Sequence, residues 1–99
     1  MLHIVNKSPY ERNSLESCLR LAAKGSKVLL IEDAVTAAVR DGAFAAKLGA
    51  ALQQVEVYAL VPDLAARGLK DRVLPGVRLV DYGGFVDLVA ESNPVQSWL

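Results

Sequence analysis

Short apolar runs alternate with stretches of helical periodicity along the whole chain, and this alternation constrains the fold more than any other feature. Strand-length runs are predicted at residues 2–6, 27–32, 55–61 and 77–80. The run at 27–32 (KVLLIE) has an uninterrupted apolar centre, which is typical of a strand buried on both faces of a parallel sheet. Helical patterns lie between and after the runs, at residues 10–24, 34–40, 43–52, 64–67 and 85–91.

Strands that alternate with helices of this length predict an α/β fold with right-handed crossovers. We expect a small doubly wound, flavodoxin-like three-layer domain with a mainly parallel sheet of four or five strands. No repeat or linker divides the 99 residues, so a single domain over 1–99 is predicted. Because 53% of the residues are hydrophobic and a domain of this size buries only about two-thirds of the surface that its unfolded chain exposes, we also expect assembly through apolar surface on the helices and the C-terminal tail.

The charge balance and the residue counts argue against several classes of function. Eleven basic and eleven acidic residues cancel, which does not favour direct nucleic-acid binding. The chain has one cysteine, one histidine and no glycine-rich phosphate loop. We therefore expect neither a metal site nor a cofactor. The N-terminal segment lacks a secretory pattern, and the apolar runs fall far short of the ~20 residues of a membrane helix. A cytoplasmic protein that does not enter a membrane is predicted.

Several single residues have both a structural and a functional interpretation. In a parallel sheet ligands bind beyond the carboxyl ends of the strands, but the polar segment there, residues 6–9, has no glycine that would let a phosphate approach the backbone. Asp33 and Asp63 each precede a predicted helix and are expected to cap it. His3 is expected to be a hydrogen-bonded structural residue of the first strand. Trp98 either closes the core or anchors a partner.

Cys18 is the one candidate for covalent chemistry. It shares an apolar helical stripe with Leu15, Leu19 and Ala22, which predicts that its side chain is buried in the core. A role as a persulfide carrier requires instead a thiolate with a lowered pKa and an open path for the donor. The exposure of the sulfur distinguishes these alternatives.

Four separated blocks of sequence then resemble a known family. They are MLHIVNKSP at the start, LLIEDAVTAAV at 29–39, VYALVPDLAARGL at 57–69 and VDYGGFVDLV at 80–89. Together with the VQSWL ending, they resemble the DsrH/TusB family over nearly the whole chain. The stretch NKSPYERNSLESCLRL resembles the DsrH branch of sulfur oxidisers, and Cys18 matches the cysteine of that branch, which many TusB chains lack.

The resemblance implies an accessory, non-catalytic subunit of a cytoplasmic sulfur-relay complex. In the DsrH interpretation it joins DsrE- and DsrF-like subunits in a hexamer of two heterotrimers that passes persulfide sulfur to a DsrC-like acceptor during sulfur oxidation. In the alternative it is a TusB-type subunit beside TusC and TusD, acting through a TusE-like acceptor toward 2-thiouridine at the tRNA wobble position. In both, the main sulfur-carrying cysteine belongs to the DsrE or TusD subunit. A further alternative makes Cys18 a catalytic persulfide carrier, and the sequence leaves the pathway open.

Overall fold

The computed structural model describes residues 1–98, which form a five-stranded sheet in which every pairing is parallel. The strands lie in the order β4-β3-β2-β1-β5. Their bounds are β1 Leu2–Val5, β2 Lys27–Leu30, β3 Glu56–Leu60, β4 Arg78–Val80 and β5 Val95–Trp98. The predicted α/β class and parallel sheet are therefore confirmed.

The helices cover both faces of the sheet. The α-helices are α1 Ser14–Leu21, α2 Ala45–Ala51, α3 Val61–Ala66 and α4 Tyr82–Glu91, and short 3-10 helices span Glu32–Ala38 and Lys70–Arg72. The chain advances from β1 to β4 in one direction and then returns across the sheet to β5. Since a right-handed crossover changes face when its direction reverses, α4 packs on the opposite face from α1, α2 and α3. This is the predicted three-layer, doubly wound arrangement.

Alternate strand residues divide the core into two unequal clusters. The larger lies under α1, α2, α3 and the first 3-10 helix, and its strand residues include Val5, Val28, Leu30, Val57 and Ala59. The smaller lies under α4 and consists of Leu2, Leu29, Tyr58 and Leu88, with Ile4, Ile31, Val80 and Phe85 partly buried around it. One face of the sheet is therefore much more completely covered than the other.

The first helix is shorter than the predicted range of 10–24. Residues before Ser14 form turns instead, because the backbone N–H groups of Glu11 and Arg12 both donate to the carbonyl of Ser8, at 3.2 and 3.0 Å. The Ser8 hydroxyl also accepts from the N–H of Tyr10 at 3.2 Å. These local bonds compete with the first helical turn, which is the usual effect of serine near a helix start.

The predicted helix over 34–40 is a 3-10 helix that begins two residues earlier and ends at Ala38. Its side chains Ala34, Val35, Ala37 and Ala38 are all buried. A 3-10 helix has three residues per turn and is narrower than an α-helix. Its small side chains therefore let it pack close to the sheet and to the neighbouring helices. The spacing of apolar residues in the sequence does not distinguish a 3-10 helix of this kind from an α-helix.

The C-terminal third differs from the sequence prediction in two places. The helix predicted over 85–91 begins three residues earlier, at Tyr82, and it is capped by the Asp81 carboxylate, which accepts from the N–H of Gly84 at 2.8 Å. A Cβ on Gly84 would lie 3.1 Å from the Val80 Cβ, so the glycine permits close packing of helix on strand. The C-terminal tail, where the sequence pattern predicts no strand, contributes β5, which pairs with β1. Leu99 lies outside the described residues.

Candidate functional site

The side chain of Cys18 lies in the middle of α1 and is completely buried in the larger core cluster. Leu15 of the same helix is also fully buried, and Leu19 and Ala22 pack against the cluster from its margin. The predicted apolar stripe and the predicted burial of Cys18 are therefore confirmed. α1 places the sulfur between helix and sheet, facing away from solvent.

Burial raises the pKa of the Cys18 thiol to about 12. Loss of solvation is the cause, because a thiolate in an apolar core loses its water without gaining a compensating charge. At neutral pH the thiol is therefore protonated, whereas attack on a persulfide requires the thiolate. This environment is the reverse of the one that activates a sulfur-carrying cysteine.

A depression in the surface between α1 and α2 does not include Cys18 in its lining. It has a volume of about 380 Å³, with Glu16, Leu19 and Arg20 among its α1 residues. The ammonium of Lys47 contacts the Glu16 carboxylate at 2.8 Å across the two helices. A donor persulfide in this depression would meet aliphatic and charged side chains rather than the thiol.

His3 and Trp98 form a hydrogen bond between the first and last strands. The indole Nε1–H donates to His3 Nδ1 at 3.1 Å, so the neutral imidazole carries its proton on Nε2. His3 is only 4% exposed, and its burial lowers its pKa below the usual value. Among residues 1–98 the buried Nε2 has no hydrogen-bond partner. His3 is therefore hydrogen-bonded as expected, but through Nδ1 and not through Nε2.

Trp98 shows one of its two predicted roles directly. Its partly buried ring packs against the larger core cluster at the outer edge of the sheet, so the residue closes the core there. Its ring centroid lies 6.1 Å from that of His3. The role as a partner anchor stays a prediction.

Asp33 and Asp63 do not cap helices, contrary to the prediction. Both helices begin before these residues, with Ile31 and Leu60 at the N-cap positions. Each strand leads into its helix without a loop, so the carboxylates lie inside the first turn. Asp63 instead accepts from the N–H of Glu32 at 2.6 Å, and Asp33 accepts from the Arg67 guanidinium at 2.7 Å. These contacts tie two neighbouring strand-to-helix connections together.

Glu32, the first residue of the 3-10 helix that follows β2, has a φ of 51°, which is uncommon for a residue other than glycine. The Asp63 carboxylate holds the backbone in this conformation through its short bond to the Glu32 N–H. The polar groups at this edge of the sheet thus bond largely to one another. In the neighbouring segment, Ser8 accepts from Thr36 Oγ1 at 3.3 Å, and Asn6 Oδ1 is buried without a partner among the described residues.

Within residues 1–98 no group of three or more His, Cys, Asp or Glu side chains is arranged to hold a metal ion. Over the same residues, none of the helices has the length and apolar character needed to cross a membrane.

The fold has close counterparts among solved structures. The crystal structure of the YchN protein from Escherichia coli superposes with a TM-score of 0.82 over 98% of this chain and 97% of that one, at 24% identity. A protein of unknown function from Methanobacterium thermoautotrophicum superposes with a TM-score of 0.75 over 97% and 95% of the two chains, at 23% identity. The molecule therefore belongs to the class of small parallel α/β domains with the YchN fold.

Sequence comparison identifies the family. A model described as "DsrH like protein" matches residues 7–95. Protein TusB of E. coli strain K12 and that of Shigella flexneri are each 37% identical over 98 residues, which is 99% of this chain and 100% of theirs. TusB of Buchnera aphidicola is 33% identical over the same extent. The chain belongs to the DsrH-like family, as the four sequence blocks predicted, and these relatives carry the TusB name.

Proposed function

We propose that this chain is a TusB-type accessory subunit of a cytoplasmic sulfur-relay complex, and that it supports assembly rather than carrying sulfur. The observation that carries the proposal is the burial of its one cysteine, with a pKa raised to about 12, in a member of the DsrH-like family. The partners are TusC- and TusD-like subunits, and the acceptor is TusE-like. The destination is 2-thiouridine at the tRNA wobble position.

The TusB branch is favoured over the DsrH branch of sulfur oxidisers by the names of the full-length relatives. The segment around Cys18 resembles instead the DsrH branch, in which DsrE- and DsrF-like partners serve a DsrC-like acceptor. The two branches share the subunit architecture, and therefore the structural argument about Cys18 holds for both.

In the proposed relay a cysteine of the TusD-like partner carries the sulfur. Its thiolate attacks the terminal sulfur of a donor persulfide, and a new sulfur–sulfur bond forms as the donor's sulfur–sulfur bond breaks. The donor leaves as a thiolate, and the proton stays on the transferred sulfur. No electrons are gained or lost overall, so neither oxidant nor reductant is required. The present chain contributes packing surface to this step and no reacting atom.

The test replaces the native relay of E. coli with this chain and TusC-, TusD- and TusE-type proteins from the same source organism. Thiolated wobble uridine is measured by mass spectrometry of digested tRNA. We expect 2-thiouridine with the complete set, its loss when this chain is omitted, and its return with Cys18→Ala. Absence of 2-thiouridine despite a purified complex would exclude the TusB interpretation. Sulfur loading of a DsrC-type acceptor by the same complex would then support the DsrH branch.

A further inference from the structure

The last strand is attached to the molecule along one side and through one side chain. β5 forms an edge of the sheet, and its backbone pairs with β1. Val95, Gln96 and Ser97 are exposed, so of the four β5 residues only Trp98 packs against the larger core cluster. A segment that buries so little apolar surface opens at a lower free-energy cost than the central strands do. Trp98 is therefore the main anchor of β5.

The hydrogen bond of this anchor exists in only one protonation state of His3. An indole N–H donates and never accepts, so His3 Nδ1 must be unprotonated to accept it at 3.1 Å. A protonated imidazole carries an N–H on both of its ring nitrogens. Two donors would then face each other between Trp98 and His3, and the attractive contact would become a repulsive one.

The helix that covers His3 offers nothing to stabilise a charge on its ring. His3 alternates along β1 with Leu2 of the smaller cluster, so its side chain faces α1 on the other side of the sheet. The titratable residues of α1 are Glu16, Cys18 and Arg20. The Cys18 thiol is neutral, because burial raises its pKa to about 12, and both charged residues are exposed at the outer surface.

The neighbouring strands also lack a carboxylate that faces His3. The one titratable residue of β2, Lys27, lies in register with Leu2 and therefore on the opposite face, and β5 has no titratable residue. Burial lowers the pKa of His3, and the ammonium of Met1 lowers it further. Because the buried Nε2 already has no partner within residues 1–98, a proton would create a buried cation without any acceptor.

We propose that His3 and Trp98 form a pH-sensitive switch that controls the attachment of β5. His3 Nδ1 takes up one proton from solvent, the hydrogen bond from Trp98 breaks, and β5 separates from β1 while β1 to β4 keep their pairing. No covalent bond changes, and loss of the proton restores the closed form. The switch is closed at neutral pH and opens under moderately acid conditions. The proposal goes beyond the proposed function, because it involves residues of this chain alone.

The coupling between proton uptake and opening fixes the size of the effect. The open form binds a proton with the ordinary imidazole pKa of about 6.5, whereas the closed form binds it less readily. The ratio of open to closed molecules therefore rises about tenfold between about pH 7.5 and about pH 5.5 while the closed form stays neutral. His3 is the one histidine of the chain, so no other side chain with an ordinary pKa titrates at the centre of this range.

The test measures amide hydrogen exchange of the folded chain by NMR at these two pH values. Rates are expressed as protection factors, which remove the direct effect of pH on exchange. β4, the opposite edge strand, is the internal control, because it lies three strands away from β1. We expect protection in β5 to fall about tenfold at the lower pH and protection in β4 to stay within about twofold. β2 should be more strongly protected than β5 at both pH values.

His3→Gln is the matched variant, because its amide oxygen can accept from the indole N–H but does not titrate in this range. In this variant we expect protection in β5 to be independent of pH, and circular dichroism checks that it folds. Protection in β5 that does not change with pH in the wild-type chain, or that falls equally in His3→Gln, would overturn the switch.

The wild-type chain alone also decides the question if the variant fails to fold. Equal protection in β5 and β2 would show that β5 opens only when the whole chain unfolds. An equal fall in β5 and β4 would likewise assign the effect of pH to global unfolding. Either result would overturn the proposal and leave the proposed function untouched, since the relay assay does not depend on the opening of β5.

Discussion

Alkylation of Cys18 should be much slower in the folded chain than in the unfolded chain, and the ratio of the two rates measures how strongly the core protects this thiol from reaction. At about pH 8 an ordinary cysteine with a pKa near 8.5 is roughly one-quarter thiolate. With its pKa raised to about 12, Cys18 is thiolate in about one molecule in ten thousand. The difference in ionisation alone slows alkylation by ~10³-fold, and the closed packing around the sulfur slows it further.

The measurement follows the mass of the chain during reaction with iodoacetamide, in buffer and in concentrated urea. The matched control is the double variant Cys18→Ala with Leu21→Cys, which moves the thiol one turn along α1 to a position that is 68% exposed. We expect the control to react at an ordinary rate in both conditions and wild-type Cys18 to react readily only in urea. A native rate for Cys18 within about tenfold of the unfolded rate would refute the argument from burial.

The same burial decides which substitution is a fair test of sulfur transfer. Cys18→Ser leaves a hydroxyl in an apolar site, at a cost of about 1–3 kcal/mol in the free energy of unfolding when it finds no partner. Cys18→Ala leaves a small cavity and costs about 1 kcal/mol. We therefore expect the alanine variant to assemble and to sustain transfer from donor to acceptor. Loss of transfer in an intact complex, together with a persulfide on wild-type Cys18 that passes to the acceptor, would establish the carrier role instead.

Three further predictions concern stability, and urea denaturation followed by circular dichroism checks each. Trp98→Phe keeps an aromatic ring but removes the N–H that donates to His3, and should cost about 1 kcal/mol; an unchanged midpoint would show that this bond contributes nothing. Because burial lowers the pKa of His3, the unfolded chain takes up a proton first, so the free energy of unfolding should fall as the pH drops through about 6.5. His3→Gln should reduce that dependence, and an identical slope in the variant would contradict the assignment. Asp81→Ala removes the cap on Gly84 N–H and should cost about 1 kcal/mol, whereas Asp81→Asn should retain most of the stability.

The central strands were predictable from sequence because burial on both faces leaves an uninterrupted apolar run. β2 and β3 show this pattern, and most of their residues are buried. β5 was not predictable in this way, because it lies at the edge of the sheet and Val95, Gln96 and Ser97 are exposed. β5 forms because it pairs with β1, and nothing in the composition of residues 95–98 indicates that pairing.

The site was predictable where one element determines it and unpredictable where two distant segments meet. The burial of Cys18 follows from the apolar stripe of a single helix. The bond from Trp98 to His3 joins residues 95 positions apart, and Asp63 reaches Glu32 across 31 positions. Local preference suggested a cap for Asp63, but a neighbouring backbone N–H in the folded chain offered a better donor.

The pairing of the first strand with the last has a consequence for how the chain folds during synthesis. A ribosome delivers β1 first and β5 last, so one edge of β1 stays unpaired while about ninety residues are added, on the order of ten seconds at ordinary elongation rates. Closing so long a loop is also entropically costly and slows folding. During that interval the nascent chain exposes a bare strand edge that can pair with another chain. Newly made molecules are therefore most vulnerable to aggregation before β5 docks on β1.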